Sequence, residues 1–410
     1  MAEVYRNLRS VWAEKGSDEY LEPKTRKDNE ERLWGAHLMK DEIVRRAMSE
    51  LTPKLIQDAQ TRIRRRAIAN LEAENKARAA KGRPPLRRRH PTADPIVRKV
   101  MMLLSAVISY AARRGCLVHP DHPHIERAHP MHDRRVRVPG AKPPPVDPLD
   151  LDVIEELRAW TLIHMGRHGD RSGRRSDRLR IPPARLFQHA TVYSTASQAG
   201  GPRPEDWWAF KRSAIHETTL EWDEAAVLGV RSTTKTRDDR IATVTPDMPV
   251  RDDWQTLFLL QGDAPTSALL FPNGHGQLIT MEGEKNWRKR WFDQAKQAVA
   301  GRYADEQDDD LARKILKATP ATMRHTYASL AAAAGIPSPI AASDMGHSTR
   351  IHEDTYVRPL KRYEDAPRTG RTGMAELARA ARTRAYQRWD MPNQIPGELR
   401  EALERAGGRI

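Results

Sequence analysis

Five side chains in this 410-residue sequence have the types that phosphate-ester chemistry requires. In chain order they are Arg203, Lys235, Arg324, His347 and Tyr356. Two guanidinium groups can bind phosphate oxygens through forked hydrogen bonds, and an imidazole supplies another donor. A tyrosine becomes a covalent nucleophile once its phenol loses a proton. The set is therefore suited to moving a phosphate diester onto the protein and back.

The first arginine and the lysine are predicted to lie at a turn and on a hairpin. A Gly-Gly-Pro sequence precedes Arg203, and Asp206 follows three residues later, which indicates a turn just before a helix. The stretch from Thr219 to Val244 is rich in β-branched residues and predicts short strands joined by a hairpin that carries Lys235.

The remaining three residues lie in two segments near the C-terminal end. Arg324 stands in Thr-Pro-Ala-Thr-Met-Arg-His-Thr, at the start of a helix predicted from Met323 to Ala334. His347 is the centre of a Gly-His-Ser sequence, and Tyr356 follows it by nine residues.

The order and spacing of these segments resemble those of the tyrosine recombinases, also called phage integrases, across about residues 190 to 360. The Arg324 segment is similar to that family's Thr-Pro-His-Asp-Leu-Arg-His-Thr box. The Gly-His-Ser sequence with Tyr356 is similar to its C-terminal box. Arg203 and Asp206 match the family's first arginine and the acidic residue after it, and Lys235 matches the lysine on its β-hairpin.

The resemblance implies a role for each residue. Tyr356 would attack a DNA phosphodiester and leave a 3′-phosphotyrosine and a free 5′-hydroxyl. Arg203, Arg324 and His347 would stabilise the charge on the phosphate oxygens, and Lys235 would protonate the leaving oxygen. The covalent linkage keeps the energy of the broken bond, so we expect no cofactor and no metal. The sequence agrees, since it has neither a phosphate-binding P-loop nor a credible carboxylate metal cluster.

One position departs from the family pattern. Ala321 occupies the place of a His or Lys that helps with proton transfer or phosphate contact, and a methyl group can do neither. His325 lies next to Arg324, but adjacent helical positions face different directions, so we expect it to point away from the site. Pro202, where the family usually has Leu, is a milder difference.

Each site residue also has an ordinary structural interpretation when it is taken alone. Tyr363 is a rival nucleophile, but its spacing from His347 fits the family less well, so we expect it to be structural. Trp207 and Trp208 could stack on bases, although packing of the helix after Arg203 into the core is the simpler interpretation.

The hydrophobic periodicity predicts a mainly α fold with a small antiparallel sheet (α+β), in two domains. Residues 1–140 are predicted to form a helical domain that ends in a Pro- and His-rich linker and is similar to the family's core-binding domain, and residues 147–365 are predicted to form the catalytic domain. Residues 366–410 are predicted to form a C-terminal tail, with an amphipathic helix from Met374 to Arg388 that carries Leu377, Ala378 and Ala381 on one side. The resemblance implies that this helix contacts another protomer. The arginine-rich stretch from Arg167 to Arg180 is predicted to be a loop. The resemblance implies that the two domains close around DNA as a C-shaped clamp.

The charge is concentrated in the first domain. The formal net charge is +15, and residues 61–90 hold eleven Lys or Arg against two acids. Because a solvated helix face usually mixes signs, we predict that this stretch contacts DNA phosphates. The predicted DNA-binding residues are Arg64, Arg65, Arg66, Arg87, Arg88 and Arg89.

Composition also restricts the cellular compartment and the cofactors that we expect. The single cysteine, Cys116, cannot form an internal disulfide, and the histidines from His119 to His132 lack metal-site spacing. The N-terminus has no signal-peptide pattern, and we expect no membrane-spanning run. The predicted location is the cytoplasm, in association with the nucleoid.

The expected partner is double-stranded DNA at specific sites, bound by a homo-oligomer that the resemblance implies to be a tetramer on paired sites. An accessory DNA-bending or directionality protein is a further partner that the resemblance allows. Two other functions stay open. One is a non-catalytic DNA-binding protein on the same scaffold, and the other is a nicking-closing enzyme of the type IB topoisomerase kind.

Overall fold

The computed structural model describes residues 1–14, 20–21, 23–82, 93–118, 128–133, 136, 146–165, 167–169, 175–227, 230–233 and 240–406. The chain divides into two compact units, Met1–Pro144 and Pro145–Ile410.

The first unit is helical in the part that the structure describes. Its α-helices are α1 (Ala2–Ala13), α2 (Pro23–Lys27), α3 (Pro53–Ala79) and α4 (Asp94–Arg113). A π-helical segment, Asp28–Leu38, continues α2, and short 3₁₀ turns occupy Glu42–Arg45, Met48–Glu50 and Pro130–His132. The Thr52 hydroxyl accepts a hydrogen bond from the Leu55 amide at 3.2 Å and caps α3.

Helix α4 forms the centre of this unit. Its apolar residues recur at helical spacing, and Val100, Leu104 and Val107 are fully buried against α1 and the π-helical segment. By length and composition α4 is also apolar enough to cross a membrane, contrary to our expectation that no run would be. Half of that apolar stretch is buried inside the protein, as expected for the core helix of a folded domain.

The second unit contains the remaining helices and the strands. Its helices are α5 (Leu151–His164), α6 (Pro183–Gln198), α7 (Pro204–Trp207), α8 (Pro249–Gln261), α9 (Met281–Trp287), α10 (Asp293–Asp305), α11 (Asp309–Lys317), α12 (Thr322–Ala333), α13 (Ser338–Met345), α14 (Thr349–Ile351), α15 (Arg371–Arg388), α16 (Met391–Gln394) and α17 (Gly397–Ala406). Two π-helical segments, Arg288–Phe292 and His352–Tyr356, and two 3₁₀ turns, Arg212–Ala214 and Lys361–Tyr363, complete it. Helices α5 and α6 pack on each other, on α15 and on α8 around one hydrophobic core. Trp207 and Trp208 are almost completely buried in this core, which confirms that they pack the helix after Arg203.

The strands are short and antiparallel. They are β1 (Arg167–Gly169), β2 (Arg175–Leu179), β3 (Thr219–Trp222), β4 (Glu224–Val227), β5 (Val230–Thr233) and β6 (Arg240–Thr243). Strand β1 pairs with β2, β3 with β6, and β4 with β5. The expected mainly α fold with a small antiparallel sheet is thus confirmed, and the sheet consists of separate two-stranded ladders within the described residues.

The predicted loop from Arg167 to Arg180 is wrong in its described part, because β1 and β2 pair there as antiparallel strands. The stretch contains almost no β-branched or aromatic residue, so its sequence carried no strand signal. Backbone hydrogen bonds between strands, which side-chain periodicity does not report, define this ladder.

Helix α15 belongs to the core of the second unit. Ala378 and Ala381, which we placed on the apolar side of the tail helix, are completely buried against it. Arg382 donates hydrogen bonds to Glu155 on α5 at 3.0 Å and to Asp253 on α8 at 2.7 Å. Contact of this helix with another protomer stays a prediction, and its apolar face is already covered by its own chain.

Candidate active site

A glycine turn positions Arg203. Gly200 and Gly201 have φ values of +71° and +53°, a conformation that side chains rarely adopt. A Cβ on Gly200 would lie 2.3 Å from the Cβ of Ala242 on β6, so a larger residue would displace the strand. The Arg203 amide donates to the Asp206 carboxylate at 2.9 Å at the start of α7. Asp206 is buried, and burial raises its pKa. It therefore fixes the backbone from which the Arg203 side chain extends.

Arg324 forms hydrogen bonds to two segments that are far apart in the sequence. It lies in the first turn of α12 with 3% of its surface exposed. Its Nη1 donates to the Gly201 carbonyl at 2.5 Å, and its Nη2 donates to the Met345 carbonyl at 2.7 Å. One guanidinium therefore holds the glycine turn against the end of α13, which precedes His347.

Gly346 ends α13 in the left-handed conformation, with φ of +63°. A Cβ here would lie 1.3 Å from Nη1 of Arg240, whose buried guanidinium also donates to the Met345 carbonyl at 2.8 Å. The glycine of the Gly-His-Ser sequence is therefore required both by its backbone angle and by the arginine beside it. His347 follows directly.

Tyr356 ends the π-helical segment His352–Tyr356, and the Val357 amide closes this turn on the His352 carbonyl at 3.1 Å. The tyrosine ring is stacked on the His347 ring, with 4.7 Å between the ring centres and 13° between the planes. The Arg324 guanidinium carbon lies 5.0 Å from the centre of the same ring. The structure thus brings Arg324, His347 and Tyr356 into contact.

Several polar atoms around Tyr356 have no partner among the residues that the structure describes. They are Nη1 of Arg203, Nε of Arg324, Nδ1 of His325, both ring nitrogens of His347 and Nδ1 of His352. Buried donors and acceptors usually have partners, and sites that lack them are typically built for a ligand or for catalysis. The arginine N–H groups in this cluster, with the one N–H group that each neutral imidazole carries, suit an anion.

The electrostatics support the same conclusion. Burial and the positive charge of Arg324 lower the pKa of His347 to about 3. Burial also lowers the pKa of Arg324, and Arg203 acts in the same direction, so the two guanidinium groups lie close enough to repel each other. An anion bound between them would relieve both effects.

Our expectation for His325 was wrong. We predicted that it would point away from the site, but its ring centre lies 4.7 Å from that of Tyr356. The tyrosine ring is therefore in contact with both His325 and His347. His352 was not identified from the sequence either. It is buried, and its ring centre is 5.3 Å from that of His347. Its position four residues before Tyr356, on the same face of a helical turn, was the available signal.

Three other residues considered from the sequence are Lys235, Ala321 and Tyr363. Lys235 lies outside the described residues. Ala321 is exposed at the start of α12. The Tyr363 hydroxyl is buried and donates to Asp152 at 2.8 Å, and burial followed by this carboxylate raises its pKa, so Tyr363 has the structural position that we expected.

Some arginines in the basic stretch of the first unit form hydrogen bonds and ion pairs within that unit. Arg64 pairs with Asp94 at 2.7 Å, and Arg66 donates to the carbonyls of His37 and Lys40 at 2.7 and 2.9 Å. Arg65 is exposed. The other three predicted DNA-binding residues, Arg87, Arg88 and Arg89, lie outside the described residues. The role of all six in DNA binding stays a prediction.

No grouping of three or more His, Cys, Asp or Glu side chains suited to a metal ion occurs within the described part of the chain. The linker histidines His119, His122 and His124 lie outside that part. His129 and His132 are described, and their rings stack at 4.3 Å.

The sequence matches no family model and no curated protein. Solved structures are nevertheless similar in fold. The Tn1549 transposon integrase in complex with a circular intermediate DNA has a TM-score of 0.54 and 15% sequence identity, over 89% of this chain and 97% of that chain. The same integrase in complex with transposon right end DNA has a TM-score of 0.54 and 14% identity over the same shares. The chain therefore has the fold of a transposon integrase, as the spacing of its motifs led us to expect.

Proposed function

We propose that this protein is a site-specific DNA recombinase of the tyrosine recombinase type, with Tyr356 as its nucleophile. The observation that carries the proposal is the position of the Tyr356 ring, in contact with the imidazoles of His325 and His347 and with the Arg324 guanidinium. A half-buried tyrosine with a purely structural role does not require this set of cations and imidazoles around it. A bound phosphodiester would give acceptors to the arginine N–H groups and to the one N–H group of the neutral His347.

The reaction follows from these groups. The Tyr356 oxygen forms a bond to phosphorus, and the bond from phosphorus to the 5′ oxygen breaks. Arg203, Arg324 and His347 hold the non-bridging oxygens as their charge grows. The 5′ oxygen leaves as a hydroxyl after it receives a proton, which we assign to Lys235. Attack of another 5′-hydroxyl on the phosphotyrosine reverses these steps and rejoins the strand.

The proposal extends to partners that the fold suggests. The similar solved integrase is described in complexes with transposon DNA. We propose that this chain binds double-stranded DNA as a clamp, acts in the cytoplasm on the nucleoid, and assembles as a tetramer on paired sites.

A suicide substrate tests the nucleophile. Native DNA that flanks the coding sequence, nicked near the scissile phosphate, loses the short 5′ fragment and traps the covalent adduct. We expect Tyr356→Phe to abolish the adduct while DNA binding persists, because only the phenolic oxygen is lost. Tyr363→Phe is the matched control. It removes the hydroxyl that bonds to Asp152, so it should reduce stability and leave the adduct intact.

Adduct formation by Tyr356→Phe, with its loss in Tyr363→Phe, would show that the nucleophile is misassigned. DNA binding without any adduct in the native protein would favour a non-catalytic binding protein. Relaxation of supercoiled DNA by a monomer, without paired sites, would favour the nicking-closing function.

A further inference from the structure

The Tyr356 phenol must lose its proton when its oxygen attacks phosphorus, so some group near the ring has to accept that proton. Among the described residues, the ionisable side chains in ring contact with Tyr356 are Arg324, His325 and His347. Arginine stays protonated in proteins and has no lone pair to offer. The acceptor is therefore one of the two histidines.

The roles already assigned separate the two histidines. His347 holds the phosphate oxygens in the proposed function, and its ring lies face to face with the tyrosine ring, with 13° between the planes. His325 has no such role, and its ring is inclined by 37° to the tyrosine ring at a centre-to-centre distance of 4.7 Å. His325 is therefore the histidine that is left to accept the proton.

The Nδ1 atom of His325 can accept a proton. It is buried and has no hydrogen-bond partner among the described residues. A neutral imidazole has one nitrogen with a hydrogen and one with a lone pair, so the tautomer with its hydrogen on Nε2 leaves a lone pair on Nδ1. The side chain is 7% exposed, so water has little access to that nitrogen.

The tyrosine segment is fixed to α12 on the face that carries His325. Ser329 lies one helical turn after His325, and its hydroxyl accepts a hydrogen bond from the Arg358 amide at 3.0 Å. The same hydroxyl approaches the Tyr356 carbonyl at 3.5 Å. These contacts attach the backbone of the tyrosine segment to α12, and they therefore hold the Tyr356 ring beside His325.

We propose that His325 accepts the proton of the Tyr356 phenol as the tyrosine oxygen attacks the phosphate. The proposal rests on the proposed function. In this step the phenol O–H bond breaks, the proton binds Nδ1 of His325, and the oxygen forms its bond to phosphorus while the 5′ oxygen departs. On rejoining, the imidazolium returns the proton to Tyr356. Ala321, the methyl group at the position where we expected a proton-transfer residue, leaves that task to His325.

The groups that face His325 give the expected pH dependence. Burial, Arg324 on the same helix and Arg358 on the tyrosine segment lower the pKa of His325 to about 4, while the Tyr356 backbone acts in the opposite direction. His347 also contacts the tyrosine ring. The imidazole is thus neutral and ready to accept a proton at neutral pH. A bound phosphate offsets the positive charge, so in the DNA complex the rate should fall with decreasing pH at or above this value.

The test compares His325→Gln with the native protein in single-turnover cleavage of the suicide substrate across pH. Glutamine is similar in size to histidine and can donate a hydrogen bond, but it cannot take up a proton. We expect a loss of about a hundredfold or more, with disappearance of the acid limb of the pH profile. His189→Gln is the matched control, because His189 is also buried, with a pKa lowered to about 3 by burial, and stacks on Trp291 instead of Tyr356.

Replacement of Tyr356 by difluorotyrosine provides a second measurement. Fluorine makes the phenol more acidic, so it needs less help to lose its proton and should restore most of the rate in His325→Gln. The proposal is overturned if His325→Gln cleaves at the native rate with the native pH profile. It is also overturned if the variant is slow and difluorotyrosine restores nothing, since His325 would then only position the segment. A native protein that forms no adduct would overturn the proposed function itself.

Discussion

Arg324→Lys should reveal two separate roles of one guanidinium. In the native protein Nη1 and Nη2 donate to the carbonyls of Gly201 and Met345, and the group also lies 5.0 Å from the Tyr356 ring centre. Lysine ends in a single ammonium and cannot reproduce the planar fork. In this geometry lysine loses one of the two hydrogen bonds, and because the Met345 carbonyl also accepts from Arg240, we expect the loss of one charged hydrogen bond, about 1–3 kcal/mol of stability.

The rate should fall by more than the stability change explains. Loss of one preorganised donor to a transition-state oxyanion typically costs about 10²–10³ in rate, or about 2.7–4 kcal/mol. We therefore expect this reduction in single-turnover adduct formation, measured at saturating DNA and at a temperature where the variant is folded. Urea denaturation of the same preparation measures the loss of stability.

Arg240→Lys is the matched control. Arg240 is also buried and donates to the Met345 carbonyl at 2.8 Å, but it makes no ring contact with Tyr356 among the described residues. It should lose stability by a similar amount and keep most of the cleavage rate. If Arg240→Lys slows cleavage as much as Arg324→Lys does, support of the Met345 carbonyl explains both results. Phosphate binding by Arg324 would then be refuted.

Three further substitutions test the fold and the first unit. Gly346→Ala should destabilise the protein by about 1–2 kcal/mol or more, because of its positive φ and because the new Cβ would displace Arg240. A native melting temperature would contradict this. Arg65→Gln should reduce the slope of log affinity against log salt by about one if this exposed side chain contacts a phosphate, and an unchanged slope would mean that it does not. Arg382→Met leaves the buried Asp253 with one cation fewer and should cost about 3–5 kcal/mol, so an unaltered urea midpoint would exclude that pairing.

The sequence was sufficient where a motif coincides with a local structure. The Gly-Gly-Pro turn before Arg203, the helix that begins near Arg324 and the nine-residue spacing from His347 to Tyr356 all correspond to features in the structure. In each case one backbone requirement, such as the positive φ of Gly201, determines both the residue type and the conformation. Local signals of this kind do not depend on the rest of the fold.

The position of His325 was not predictable in this way. Arg324 and His325 differ by about 100° around the axis of α12, so helical geometry alone suggests that only one of them faces the site. Tyr356 ends a π-helical segment, and its broad ring lies across α12 where it contacts both residues. The contact depends on a chain segment about thirty residues away, which the periodicity of α12 does not report.

In the first unit, a count of charges along the sequence did not predict which arginines form ion pairs. The arginines from Arg62 to Arg66 predict a cationic surface, because a count of charges does not show which of them are paired with acids. In the structure Arg64 reaches Asp94, and Arg62 donates to Asp41 at 2.8 Å. These acids lie twenty or more residues away and outside the window in which the charges were counted. Net charge therefore overstated how many arginines are available to a polyanionic partner, and the binding of this stretch to such a partner stays a prediction.

The pairing of α15 restricts how protomers can meet. The helix is joined to α5 by Arg384 with Asp152 and by Arg382 with Glu155, and its alanine face is buried. The Arg382–Glu155 pair is buried, whereas the Arg384 side chain is partly exposed and its pair contributes less. An exchange of this helix between protomers would re-form the same contacts on the neighbour, but the helix must first leave its own core and separate the buried Arg382 pair. The exposed side of the helix carries Glu376 and Gln387 and is polar. A tetramer contact through α15 is therefore either a polar contact on the outside of an intact second unit or an exchange of the whole helix.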